Sequence, residues 1–338
     1  MMLILDKRDT VLRYETGSLR IERKGERLQR VPIKQLEQVI IFGNAMVESN
    51  VWRYLADESV SMVIMSARGA PKAAFLHGSL ATQLPFRRMQ HSDASSDRLS
   101  LIHARYFVRL KFQSYALSVQ TLTNHYDVEQ EALNGFLNQQ SDTLKRLDEA
   151  NSVSSLMGLE GQLAHAWFVL LAHSLPYRWK FAGRNRRPPR DPLNSLLSLC
   201  YTLVSSEVNQ SLLASGFDPS LGFLHQDTPG RESLVLDFVE IFRSAVDSFA
   251  LQWLAEAPLD DSSFYYRQKE GCRLSKASRP LFFKAWSQYR YEWPRPILND
   301  DATVESIIDW PRAEIREVIN GQIMQWRELL KENHAVDV

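Results

Sequence analysis

The sequence predicts an α+β protein: a small N-terminal β domain at residues 1–77, a linker at 78–96 and a larger all-α domain at 97–338. Three observations support that division. The first 77 residues alternate between apolar and polar side chains, or run as short apolar stretches bounded by Gly, Pro and Asn. From about residue 96 the apolar spacing becomes helical, and neither Gly nor Pro recurs until Gly135. The segment between them is polar and holds HSDASSD at 91–97.

The β elements follow in order. Leu19-Arg20-Ile21-Glu22 alternates as a half-buried strand, and Lys24-Gly25-Glu26 reads as a hairpin turn. Leu28 to Val31 is the return strand, stopped at Pro32, which has no N–H to give a ladder. Val39-Ile40-Ile41-Phe42 reads as a short buried strand ended by Gly43-Asn44. Ser49 or Asn50 is placed to cap a short helix through Val51-Trp52 and Tyr54-Leu55. Val60 to Met65 is another buried strand, and Gly69-Ala70-Pro71 turns the chain into a last one near Ala74–Leu76.

Helical patterning fills the rest. Leu99, Leu101, Ile102, Tyr106, Leu110 and Phe112 belong to one or two long helices. Breaks are expected at Pro176, at Pro188-Pro189, at 216–219 and at 294–296. Ile315, Val318, Ile319, Ile323, Trp326 and Leu330 form a stripe at helix spacing, suited to core packing or to a partner helix.

Composition sets bounds on function. At 338 residues, 44% hydrophobic and 24% charged, the chain is globular with a sizeable core. Net charge is zero, so nucleic-acid binding has to come from local patches. Cys200 and Cys272 lie far apart and form no C-x-x-C pair, which argues against a disulfide framework or zinc knuckle. The apolar part of MMLILDKRDT is too short for a secretory leader, and AWFVLLA at 166–172 is too short to cross a bilayer. A cytoplasmic protein with no membrane partner is expected. No Walker A, G-x-G-x-x-G or G-x-S-x-G pattern suggests a nucleotide cofactor or serine hydrolase chemistry.

Two stretches place acids where a core has no use for them. In GFDPSLGFLHQDTPGRESLVLDFVEIFR (216–243), Asp237 and Glu240 sit among Leu234, Leu236, Phe238 and Phe242, downstream of a lone His225. Acids three apart share a helix face, with Cβ atoms about 5–6 Å apart. In SSLMGLEGQLAHAWF, Glu160 lies between Leu159 and Gly161, and the small Gly158 and Gly161 leave room beside it. A buried carboxylate is paired with a cation or bound to metal. Arginine partners explain these acids; so does a divalent ion held by two carboxylates and an imidazole, with positions left open for a phosphate oxygen and a nucleophile. His77, His91, His103, His165 and His173 read as ordinary core histidines.

A basic cluster follows the Glu160 helix: Arg178, Lys180, Arg184, Arg186, Arg187 and Arg190, uninterrupted by an acid until Asp191. It is either a solvated loop or a polyanion site. Arginine forks suit phosphates, and Trp179 and Phe181 would add stacking surface. Lys276 and Arg279 in RLSKASRP, and Arg87-Arg88, are lesser candidates.

Three segments together resemble one family: GLEGQLAHAWF (158–168), GRNRRPPRDPLNSLLSLCYTLV (183–204) and the 216–243 stretch. The chain is similar to the CRISPR-associated Cas-one (Cas1) integrases, the catalytic subunits of spacer acquisition. VPIKQLEQVIIFGNAMVESNVWRYLADESVSMVIMSARG resembles that family's β domain and first short helix, so the likeness spans nearly the whole chain.

The resemblance implies a β domain that makes a homodimer and a helical domain that binds metal, Mg²⁺ or Mn²⁺. It implies that short DNA fragments are joined into a CRISPR array by direct transesterification, with the small Cas-two (Cas2) protein as a bridge. Carried onto this sequence, the metal set is Glu160, His225 and Glu240, with Asp237 beside it to complete the catalytic group. The DNA-binding set is Arg184, Arg186, Arg187, Arg190, Asn194, Arg231 and Lys276. Cys200 stands where the family has a small residue, and QLPFRRMQH matches only loosely, which leaves contacts at Arg87, Arg88 and Gln90 open. A stand-alone metal nuclease acting on branched or repair DNA, and a non-catalytic DNA scaffold, are the competing functions.

Overall fold

The computed structural model describes residues 1–7, 9–58, 60–65, 73–76, 84–185, 188–225, 228–296 and 311–335. The N-terminal part holds two four-stranded sheets. One has the order β4 (Gln29–Pro32), β3 (Ser18–Glu22), β2 (Val11–Glu15), β6 (Met46–Val47). The other runs β1 (Met2–Leu5), β5 (Gln38–Phe42), β7 (Ser61–Met65), β8 (Ala74–Leu76), with β1, β5 and β7 parallel and β8 antiparallel. A helix, α1 (Ser49–Asp57), crosses between β6 and β7.

The expected hairpin at Lys24–Glu26 forms, since β3 and β4 pair antiparallel across it, and a second, two-residue hairpin precedes it. Glu15 pairs with Ser18, and Thr16 and Gly17 between them both have positive φ, 48° and 73°. Positive φ at both loop positions is the backbone of a type I′ turn, whose twist matches that of the flanking strands. At Lys24–Glu26 the Glu26 N–H donates to the Arg23 carbonyl at 3.2 Å, and Gly25 takes a positive φ of 78°. The α1 cap also differs: Glu48 holds the N-cap position without a side-chain cap bond, in place of Ser49 or Asn50.

The parallel strands explain the unbroken apolar run of β5. Val39 and Ile41 face a core with Leu12, Leu19, Ile21, Val51, Leu55 and Met62. Ile40 and Val63 face the other way, into the main helical core. A parallel sheet covered on both faces needs apolar residues at every position, not at alternate ones.

The helical part comprises α2 (Leu84–Ala94), α3 (Asp97–His125), α4 (Gln130–Arg146), α5 (Val153–Ser174), α6 (Pro192–Ala214), α7 (Ser233–Glu256), α8 (Arg279–Tyr291) and α9 (Ile315–Ala335). Residues 84–94 of the 78–96 segment are thus helical. Ser96 caps α3, and Ser152 with Ser155 forms a capping box on α5. The long run is two helices, as one of the two expected arrangements has it: α3 ends before 126–129, and Gly135 lies inside α4. Two ribbons interrupt the helices: β9 (Phe264–Arg267) with β10 (Gly271–Leu274), and β11 (Trp293–Pro294) with β12 (Arg312–Ala313). The helical pattern did not anticipate either. The Ile315–Leu330 stripe is buried, as a core-packing face requires.

At the centre is α7, buried along nearly its whole length between α3 and α6. Its buried face is not purely apolar. Asp237, Glu240, Ser244 and Asp247 recur at spacings of three and four, so they form one polar seam along the helix. Ser114 on α3 donates to Ser244 Oγ at 2.9 Å, and Ser118 to the Ser244 carbonyl at 3.1 Å. Asp247 accepts from Trp167 Nε1 at 2.9 Å and from the Tyr201 hydroxyl at 2.6 Å.

Candidate active site

At the N-terminal part of this seam Glu240 on α7 has His225, on the loop before α7, on one side, and is linked through Lys111 to Glu160 on α5. His225 is held by Asp237. The Asp237 carboxylate accepts from the backbone N–H of Phe223 (2.6 Å), Leu224 (3.1 Å) and His225 (3.0 Å), and lies 2.7 Å from His225 Nδ1. With Nδ1–H given to the carboxylate, the imidazole presents its Nε2 lone pair inward, 3.9 Å from Glu240 Oε1. Asp237 is fully buried, and its oxygens are committed to this loop.

The loop is braced from behind. Gln90 donates to the carbonyls of Asp218 and Leu221, each at 2.8 Å, and accepts from the Asp218 N–H at 2.9 Å. Arg87 donates to the carbonyls of Gly216 (3.1 Å) and Phe217 (3.2 Å). Arg87 and Gln90, left open as DNA contacts, are engaged in shaping the His225 loop; Arg88 is exposed. His103 packs at 4.4 Å against Phe223, and lies 2.7 Å from Asp93 through Nε2. It is the buried, satisfied histidine the sequence suggests. His165 and His173 differ, being exposed on α5; His91 is exposed, and His77 lies outside the described residues.

Two cations that sequence reasoning passed over complete the site. Lys111 on α3, its side chain 2% exposed, donates to Glu240 Oε2 at 2.6 Å and also to Glu160 Oε1. Arg243, one turn after Glu240, donates from Nη2 to Oε1 at 2.7 Å, with Nε 2.5 Å from Oε2. Burial pushes the Glu240 carboxyl up, but Arg243 and Lys111 more than offset it and hold the group well below the usual carboxylate range. A signal was present for both: a lysine inside the apolar VRLKFQSYALSV run, and an arginine three residues after a buried acid. Among the described residues no three His, Cys, Asp or Glu side chains stand at metal-holding separation. The two glutamates are instead spanned by the Lys111 ammonium.

The basic segment is built around Asn194. Asp191 caps α6 by accepting from Asn194 N–H at 2.8 Å, and Pro192 fills the first turn, where no N–H is needed. The Asn194 side chain is fully buried. It donates to Asp191 Oδ2 (2.6 Å) and the Gly183 carbonyl (2.9 Å), and accepts from Arg184 Nη1 (2.7 Å) and Asn185 N–H (3.0 Å). Asn194 therefore positions Arg184. Trp179 and Phe181, expected as stacking surfaces, are buried against Phe264 and Phe168. Tyr177 is the exposed ring here, at 91%, beside exposed Arg178 and Lys180.

Arg184 and Arg243 both lie over the Tyr201 ring, 5.7 and 4.9 Å from its centroid, which connects the basic segment to Glu240. Arg190 and Lys276 are exposed, and Arg231 is half-buried in the turn before α7. Arg186 and Arg187 lie outside the described residues. Pro189 abuts the β10 strand: its carbonyl accepts from Cys272 N–H at 2.7 Å. Among the described residues no helix is long and apolar enough to cross a membrane.

Comparison with known proteins gives the same answer along the chain. A CRISPR-associated endonuclease Cas1 from Thermodesulfovibrio yellowstonii is 28% identical over 291 residues, covering 85% of this chain and 90% of that protein. One from Thermus thermophilus is 33% identical over 284 residues, covering 82% of this chain and 81% of its own length. A casposase bound to integration product has the same fold, with a TM-score of 0.80 at 19% identity over 98% of this chain and 91% of that one. The family model of CRISPR associated protein Cas1 matches residues 3–288, and this chain belongs to the Cas1 family of CRISPR-associated endonucleases.

Proposed function

We propose that the site formed by Glu160, Glu240 and His225 is where this chain joins short DNA fragments into a CRISPR array. The observation that carries the proposal is the convergence of two carboxylates from different helices on one cation, with an oriented imidazole nitrogen beside them. That donor set suits Mg²⁺ or Mn²⁺. When bound, the ion would polarise a phosphoryl oxygen and offset charge on the attacking and leaving oxygens.

The chain's own residues do the rest. Asp237 fixes the His225 tautomer and the loop that carries it, the supporting role that carboxylates play behind metal-ligating histidines. Arg243 keeps Glu240 ionised. Arg184, Arg190, Arg178 and Lys180 present positive charge to backbone phosphates, which position DNA without reading its sequence. A 3′-hydroxyl of the fragment attacks an array phosphodiester; one phosphoester forms, one breaks, and the displaced strand leaves with its own 3′-hydroxyl. No ATP is consumed. Water in place of that hydroxyl gives cleavage, so nuclease activity accompanies integration. The working assembly is a homodimer joined through its β sheets, bridged by Cas2 and bound to duplex DNA, in the cytoplasm.

The test is integration of an end-labelled duplex into a repeat-bearing plasmid, with Cas2 and Mg²⁺ or Mn²⁺. Joined product that disappears in Glu160→Ala and His225→Ala, both folded as wild type, supports the reading. Cleavage without joining favours a nuclease, binding alone a scaffold, and full joining by either variant rules the site out.

A further inference from the structure

We propose that Lys111 is an internal stand-in cation: its ammonium holds Glu160 and Glu240 together in the metal-free protein and competes with a divalent ion for the same oxygens. The inference rests on the metal-site reading above and concerns how that site is kept ready.

Lys111 lies mid-helix between Leu110 and Phe112, both buried, where packing alone calls for an apolar residue. Burying an ammonium is costly unless it is paired and hydrogen-bonded. Its partners come from two other helices, so one side chain on α3 joins α5 and α7 at their acids. Without it, no cation would bridge the two carboxylates, and like charges repel.

An ion approaching Glu240 meets Lys111 and Arg243 on its oxygens. Of the two, Lys111 is the one able to yield. Arg243 is planar, lies over the Tyr201 ring and touches both Glu240 oxygens. Lysine is a point charge on a flexible four-carbon stem and holds each glutamate by one oxygen. Glu160, 24% exposed, is the more open of the two acids and marks the side from which an ion enters. The apparent metal affinity is then the ion's own affinity reduced by what it costs to move the ammonium away.

The test is Mn²⁺ titration calorimetry on metal-free full-length protein, with melting in chelator measured alongside. Lys111→Met should bind Mn²⁺ at least tenfold more tightly than wild type and melt lower in chelator, with Mn²⁺ restoring more of its melting temperature. Lys111→Arg keeps the charge with a stiffer fork, and should bind Mn²⁺ no more tightly than wild type. Wild-type binding with no gain in folded Lys111→Met overturns the competition and leaves the metal site standing. Tighter binding by Lys111→Arg overturns it too, even if Lys111→Met does not fold. Absence of Mn²⁺ binding by wild type overturns both.

Discussion

Replacing Asp237 with asparagine removes one charge and keeps the shape. The carboxylate now serves three backbone N–H groups and His225 Nδ1, two contacts on each oxygen. The amide keeps one acceptor and turns the other into a donor. In either orientation at least one buried N–H of the 223–225 loop faces an NH₂ group. A buried donor left without an acceptor costs about 1–3 kcal/mol, and the remaining bonds lose the strength a charge lends them, about 1 kcal/mol more. The sum is about 2–4 kcal/mol, a large share of a typical folding free energy. In a chain of 338 residues that is a fall in melting temperature of about 3–6 °C. If the asparagine donates to Nδ1, the imidazole proton moves to Nε2 and the lone pair facing Glu240 is lost. Metal affinity should fall about 10- to 100-fold, the usual cost of removing a carboxylate behind a ligating histidine. Differential scanning calorimetry in chelator and Mn²⁺ titration measure the two effects separately. A variant that melts within about 1 °C of wild type and binds Mn²⁺ equally well would refute the positioning role.

Other perturbations reach the same loop and the link between the sheets and helices. Gly222→Ala would bring a Cβ to 2.8 Å from Ser233 and 3.0 Å from the Asp237 carboxylate, so the loop must lift off the start of α7. A loss of about 1–3 kcal/mol, with weakened Mn²⁺ binding, is expected from melting and titration. Burial pushes the Glu37 carboxyl up, but the N-terminal ammonium, Tyr291 and Arg290 outweigh it and bring it down to about 2 from 4.5. The sign follows: these contacts stabilise fully above pH 4.5, and their contribution is lost as pH falls towards 2. Glu37→Gln should therefore flatten the pH dependence of stability in that window. At neutral pH it should cost only about 1 kcal/mol, because the group is partly solvated. Unchanged acid sensitivity in denaturant melts would exclude this contribution.

The acids of the site were legible in the sequence because each is chemically out of place: Glu160 beside Leu159, Glu240 beside Val239 and Ile241. Lys111 is out of place in the same sense, but nothing nearby in sequence names its partners, which tertiary structure supplies from 49 and 129 residues away. Composition announced the positive segment at 178–190 but not which way its rings face. Trp179 and Phe181 turn inward to pack, and Tyr177 is left outside. The family resemblance places Asn194 in the DNA-binding set. In the fold Asp191 is the helix cap that holds Asn194, and Asn194 in turn holds Arg184.

Strands were legible where the apolar run was continuous, as at Val39–Phe42, because two-sided burial leaves no room for polar residues. The Thr16-Gly17 turn was not, since threonine rarely takes positive φ and so gives no warning. The β9–β10 ribbon escaped because it interrupts a long helical pattern. Gly271 was its trace: φ is +72°, and a Cβ there would come within 2.2 Å of the Pro189 carbonyl, so only glycine lets the ribbon abut the basic segment.

Crystals soaked in Mn²⁺ and measured at the manganese edge test the central claim most directly. The account predicts one anomalous peak between α5 and α7, about 2.0–2.3 Å from Glu160, Glu240 and His225 Nε2, with the Lys111 ammonium displaced and Asp237 still bound to the His225 loop. A peak coordinated by Asp237 in place of Glu240, or none at this site while Lys111 keeps both glutamates, would contradict it.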